Sequence, residues 1–240
     1  MKVCSVNLAD GIRVASDQIV RDTLNNLALR LNKLCIQLDT PNEEFYHLFA
    51  QLKSINITKT PQEKITVEPG GVIGDRHFGP PDVQSIDGKF YDVMPFNQIS
   101  FLSKERYADL NKFYNKNIQA GEFGENIQTQ GLILHQLSHG TVLQFGDTAQ
   151  VKICHLRRSC YKFVMVLKTA DEYFDYKRDP AAPTINRIGV TGQVIKSGII
   201  RPNDSIHVIY TPPTLVPLRP LNPEVEGIAS LTPRDPPTNT

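Results

Sequence analysis

A change of period constrains this fold more than any other feature. Between Ser16 and Leu38 apolar side chains recur at spacings of three and four: Val20, Leu24, Leu27, Leu31, Leu34 and Leu38. That spacing puts them on one face of an α-helix. Thr40-Pro41-Asn42-Glu43 then reads as a capping box with proline at the first helical position. Phe45, Leu48, Phe49 and Leu52 mark the buried face of a second helix. Helices are therefore expected over Ser16–Asp39 and Pro41–Leu52. After about Ser54 the period becomes short, with strand-like runs broken by glycine, proline and aspartate. The run KVCSVNL alternates before the helices begin, with Cys4, Val6 and Leu8 on one side. The chain thus reads as a first strand, an inserted helical hairpin and a β-rich remainder.

Within that remainder INIT and KITVE read as strands, PGGVIGDRHFGPPD as a turn-rich loop, and Phe96–Leu102 as a strand. Ser103 caps a helix whose Tyr107, Leu110 and Tyr114 share a face. TVLQFGDTAQVKI and GIIRPNDSIHVIY resemble each other, each with a turn containing aspartate (Asp147, Asp204) before an alternating run. Paired strand–turn–strand units of this kind suit a β-barrel or curled sheet. One mainly β domain over residues 1–212 is expected. The last thirty residues hold eight of the seventeen prolines and few large apolar groups after Leu221, so residues 213–240 read as a loose tail.

With 26 basic against 25 acidic side chains, the net charge is +1. No broad basic field exists for nucleic acid or an acidic membrane, so any anion site must be local. No run approaches the length of a signal peptide core or a membrane span. Cys4, Cys35, Cys154 and Cys160 lie at unrelated spacings, which fits a reducing, cytoplasmic setting better than a disulfide framework. Cys4 and Cys35 read as packing residues. No classical zinc spacing appears, although Cys154-His155 near Cys160 leaves that option open.

Three stretches could carry chemistry. In LRRSCYKF, Arg157, Arg158 and Lys162 surround Cys160, a field that favours the thiolate. The competing reading has solvated cations and a buried thiol. In GVIGDRHFG, Arg76 and His77 could grip an oxyanion, or Asp75 could merely stabilise its own turn. In GEFGENI, Gly121 and Gly124 could aim N–H groups at an anion around Phe123, with Glu125 and Asn126 beside them, or the stretch could be only a turn. Neither loop matches a P-loop or dinucleotide fingerprint. No serine nucleophile elbow is present. A Cys–His hydrolase built on Cys160 with His77 or His155 has no local signature.

GDRH, PFNQISFLS, GEFGENIQTQGL, HGTVLQFGDTAQVKI, RRSCYKF and GVTGQVIKSGIIRPNDSI occur in the order of the MOSC domain, the domain of molybdenum cofactor sulfurase C-termini. The resemblance spans about Ser54 to Tyr210 plus the first strand, and is similar to stand-alone members. It implies a MOSC-type β-barrel and a molybdenum cofactor. It also implies an oxidoreductase that reduces N-hydroxylated small molecules, fed by a separate reductase. A non-catalytic carrier of the cofactor or its sulfur is the alternative. Cys160 would be the molybdenum ligand and catalytic residue. Arg76, His77, Gly121, Phe123, Gly124, Glu125, Asn126, Arg157, Arg158 and Lys162 would hold the cofactor. Stand-alone reductases carry HGG after the GDR loop and proline before the cysteine; here those places read HFGPPD and Ser159. The helical hairpin is an addition. Its apolar faces are expected to pack on the barrel; were Phe45 and Phe49 exposed instead, they would offer a homo-oligomer contact or a docking surface for a redox partner.

Overall fold

The computed structural model describes residues 1–9, 27, 30–31, 33–35, 37–38, 40–52, 59–75, 83–84, 90–91, 98–157, 161–167 and 188–220. Its strands are β1 (Lys2–Ala9), β2 (Lys59–Gln62), β3 (Ile65–Glu68), β4 (Gly71–Val72), β5 (Val83–Gln84), β6 (Phe90–Tyr91), β7 (Ile99–Ser103), β8 (Ile127–Gln130), β9 (Val142–Phe145), β10 (Ala149–Leu156), β11 (Val190–Lys196), β12 (Gly198–Ile200) and β13 (Ile206–Tyr210). The helices named here are α1 (Glu43–Leu52), α2 (Lys104–Tyr114) and α3 (Tyr161–Leu167).

Eight strands form one sheet in the order β13-β9-β10-β11-β7-β8-β1-β2, and β12-β3-β4 form a smaller one. The large sheet curls. Near the start of β13, Ile206 N donates to the Met1 carbonyl, while Val3 N donates to the carbonyl of Asp204 and Asn203 N to that of Val3. These bonds and one Lys2–Ser205 bridge bring the sheet's two ends together. No continuous ladder closes them into a barrel among the described residues. Among the described strands, only β7 and β8 form a parallel pair. Parallel neighbours need a long crossover, and here it comprises α2 and the GEFGEN loop. The local fold therefore dictates that this loop leads into a central strand.

Strand β7 is buried on both faces, and that divides the core. Ile99 and Phe101 join Val3, Val6, Phe145, Ile153 and Val190 inside the curled sheet. Leu102 joins the helices' cluster with Leu31, Phe45, Leu48, Leu110, Phe123 and Phe163. Phe45 is fully buried and Phe49 packs against the same cluster, so the inserted helices cover the sheet instead of offering both aromatics to a partner.

Several expectations need correction. The described residues of the first helix between Leu27 and Gln37 are helical, whereas residues 16–26 lie outside the description. The second helix starts at Glu43, because Asn42 caps it: Asn42 Oδ1 accepts from Phe45 N at 2.8 Å. Thr40 does not. In β1 a register shift between Val3 and Ser5 puts both Val3 and Val6 in the core and leaves Cys4 half-buried, breaking the expected Cys4/Val6/Leu8 face. The two look-alike segments also diverge. β9 and β10 form a hairpin, but β12 pairs with β3 and β13 with β9.

Residues 213–220, expected to open the loose tail, run against the domain. Val216 pairs with Ser138 and His139, Leu156 N donates to the Arg219 carbonyl, and Leu218 is buried. Residues 221–240 and the INIT run lie outside the description. No described helix is long and apolar enough to cross a membrane.

Candidate functional site

The loop GEFGENI is folded around its own side chains. Ser103 caps α2 through Oγ, which accepts from Arg106 N, and Asn115 ends the helix in the left-handed region at φ 50°. The chain then turns back through Gly121 at φ 87° and Gly124 at φ 73°. A Cβ on Gly121 would lie 2.1 Å from the Lys59 carbonyl oxygen, so only glycine lets the two backbones touch. Gly121 N donates to Glu125 Oε1 at 2.6 Å, and Gly124 N to the Gly121 carbonyl at 2.8 Å. Both N–H groups are committed inside the loop. In this conformation they do not form the outward anion cradle the sequence suggests. Phe123, between the glycines, is an anchor: it stacks on Phe163 of α3 at 5.0 Å and packs against Tyr107 of α2 at 5.5 Å.

The polar pair that follows points inward. Glu125 is completely buried, and its Oε1 also accepts from the Tyr107 hydroxyl at 2.7 Å. Burial pushes the Glu125 carboxyl above its usual range, while the Gly121 N–H, the Tyr107 hydroxyl and Arg157 pull it back. Burial, then the Glu125 charge, holds the Tyr107 hydroxyl well above its own usual value. Asn126 joins separate parts of the chain. Its Oδ1 accepts from Ser100 N and Oγ at 3.1 and 3.0 Å, and its Nδ2 donates to Asp75 Oδ2 at 2.8 Å. Asp75 is no mere turn residue. The same oxygen meets Lys59 Nζ at 2.6 Å, with both side chains almost wholly buried.

Arg157 connects this network to the cysteine segment. It follows β10, its backbone N donates to the Gly189 carbonyl, and its guanidinium donates through Nη2 to the Phe123 carbonyl. The structure thus brings Gly121, Phe123, Gly124, Glu125, Asn126 and Arg157 together. Lys162 belongs to α3. Arg76, His77, Arg158 and Cys160 lie outside the described residues. His155 is buried with its ring 5.7 Å from that of His139. No group of three His, Cys, Asp or Glu among the described residues is arranged for a metal ion.

Sequence reasoning missed Lys59, Ser100, Asn7 and the polar role of Tyr107. Asn7 N donates to the Asn126 carbonyl at 2.7 Å. Tyr107 carried one signal, a hydroxyl on an otherwise apolar helix face, since a buried tyrosine usually finds a partner for it.

A family profile described as the MOSC domain matches residues 74–207, more than half of the chain, including the GEFGENI loop and Arg157. The chain belongs to the MOSC family. Among solved structures, YiiM from Geobacillus stearothermophilus is similar with TM-score 0.50 and 19% identity, covering 68% of this chain and 70% of that one. A hypothetical protein of known crystal structure matches with TM-score 0.50 and 18% identity over 74% of this chain and 73% of its own. YiiM from Escherichia coli aligns with TM-score 0.48 and 17% identity over 66% and 68%. No curated protein sequence matches the chain. The two likenesses at TM-score 0.50 speak for the fold alone, a mainly β domain. The family is associated with molybdenum cofactor binding.

Proposed function

We propose that this MOSC protein binds molybdenum cofactor through Cys160 and uses it to reduce N-hydroxylated small molecules, with electrons from a separate reductase. One observation supports the reading above others: Arg157 holds the Phe123 carbonyl and Phe163 stacks on Phe123. The family's motif loop is thereby fixed to the residues on either side of 158–160. A thiolate there is a soft ligand suited to molybdenum. Arg157 also fits a phosphate, because its Nη1 is buried without a hydrogen-bond partner. The Gly121 and Gly124 N–H groups do not fit that role in this conformation. Arg76, His77, Arg158 and Lys162 are the further candidates for the pterin phosphate.

When bound, the cofactor supplies two-electron chemistry at molybdenum. The chain's own contribution is to hold Arg157 against Phe123, to keep the loop rigid through Glu125 and Asn126, and to shield it with Phe123, Tyr107 and Phe163. The test is expression in a host that makes the cofactor, followed by molybdenum analysis and turnover of an amidoxime or hydroxylamine with an artificial donor. Cys160→Ser replaces a soft thiolate by a protonated hydroxyl; reduction should vanish while cofactor retention only weakens. Full activity in Cys160→Ser would sink the ligand assignment. Transfer of cofactor to another apoprotein without turnover would identify a carrier instead.

A further inference from the structure

Two buried polar atoms of this network lack hydrogen-bond partners, Glu125 Oε2 and Arg157 Nη1. Both hydrogen bonds to the Glu125 carboxyl go to Oε1, from Tyr107 and Gly121. Arg157 uses Nη2 on Phe123, two positions before Glu125. An unpaired buried group costs about 1–3 kcal/mol, and more when charged. A loop with a carboxyl oxygen in that state, held by a side chain from the end of β10 with a donor in the same state, is built to receive something.

The chemistry of the two atoms narrows the ligand. A guanidinium N–H can only donate. With Oε1 already accepting twice, a proton on Glu125 resides on Oε2 and makes it a donor as well. Two donors complement an oxyanion, whereas an ionised Glu125 would repel one. The geometry points to an oxyanion site at Arg157 in which Glu125, a positioning residue, takes up a proton as the anion binds.

The charges facing Glu125 agree with this assignment. Tyr107 approaches from α2 and Arg157 from the end of β10, and the buried Lys59–Asp75 pair lies beyond Asn126. Glu122 on the same loop is directed to Gln119 N at the exposed surface. Burial already raises the Glu125 carboxyl, and Arg157 is among the influences lowering it. An anion neutralising Arg157 removes that influence and raises the carboxyl further. By linkage, anion affinity falls as pH rises above the free protein's Glu125 pKa, by up to about tenfold per pH unit for one proton. The inference rests on the reading of Arg157 as a phosphate contact, but not on any chemistry of the cofactor.

The probe is sulfate, which does not titrate in the relevant range. Full-length protein is titrated with it calorimetrically between about pH 5 and 8, in buffers of different ionisation enthalpy. Wild type should bind more weakly as pH rises and should take up protons on binding. Glu125→Gln keeps an acceptor for Tyr107 and Gly121 and an N–H donor in place of Oε2; it should bind with pH-independent affinity and no proton uptake. Arg157→Ala should bind at least tenfold more weakly. Should Glu125→Gln fail to fold, a sulfate-induced protonated-carboxyl infrared band in wild type decides the matter. Absent sulfate binding, a flat wild-type profile, or a pH slope surviving in folded Glu125→Gln overturns the inference. Proton-linked sulfate binding by a protein that takes up no molybdenum cofactor would refute the proposed function and leave this inference standing.

Discussion

Alanine at Gly121 should destabilise the fold far more than alanine at Gly124, although both glycines have positive φ within one loop. At Gly124 the cost is that of a left-handed conformation for an L-residue, about 1–2 kcal/mol. Gly121 carries the same strain and a collision besides. Its new Cβ would sit 2.1 Å from the Lys59 carbonyl oxygen, against the 3.4 Å at which ordinary contact begins. The loop and β2 must separate. That weakens Lys59 N to Gly121 carbonyl at 2.9 Å and Gly121 N to Glu125 Oε1 at 2.6 Å. At about 1 kcal/mol net per hydrogen bond, the total reaches roughly 3–4 kcal/mol. That is a large part of the roughly 5–15 kcal/mol that holds a domain folded. Urea unfolding of wild type and the two variants, at matched m-values, measures the difference. A Gly121→Ala protein within about 1 kcal/mol of Gly124→Ala would refute the close approach of loop and β2.

Lys59→Met leaves Asp75 charged and buried, and should cost about 3–5 kcal/mol; Lys59→Met with Asp75→Asn should recover part of that in the same unfolding assay. Because the folded-state pKa of Glu125 is raised, its stabilising contribution is present below its ordinary value of 4.5 and is lost as pH rises through the folded value. Glu125→Gln should therefore gain on wild type as pH increases, and an unfolding series showing a constant difference would contradict the burial of that carboxyl. Ser103→Ala removes the cap of α2 and should cost about 1 kcal/mol, read as a shift in thermal midpoint.

Local rules were legible where local forces decide. Ser103 heads α2 because its hydroxyl reaches Arg106 N, and β9–β10 form a hairpin because Gly146 and Asp147 make the turn between alternating runs. The start of α1 was misread because Thr40 and Asn42 are both good caps, and only the chain's path selects Asn42. The bulge in β1 is likewise silent in the sequence, since pairing with β8 creates it. At the site, the motif loop and the segment leading to Cys160 could be named from their residues. Their interior could not. Lys59 is an unremarkable lysine until Asp75 meets it in a buried place, and nothing along the chain announces that pair. The glycines look like a cradle for the same reason, because sequence reveals their freedom and not which acceptors their N–H groups meet.

Asn126 has a consequence for how the molecule comes together. Its side chain bonds Ser100, 26 positions away, and Asp75, 51 positions away, and its carbonyl bonds Asn7 near the N-terminus. None of these contacts closes a short segment, so each must wait until distant strands have met and the entropy of long loops has been overcome. The motif loop is consequently among the late parts of the molecule to acquire its shape, and it cannot open alone without unfastening β1, β7 and the bend after β4. A binding surface assembled in this way is present or absent as a whole.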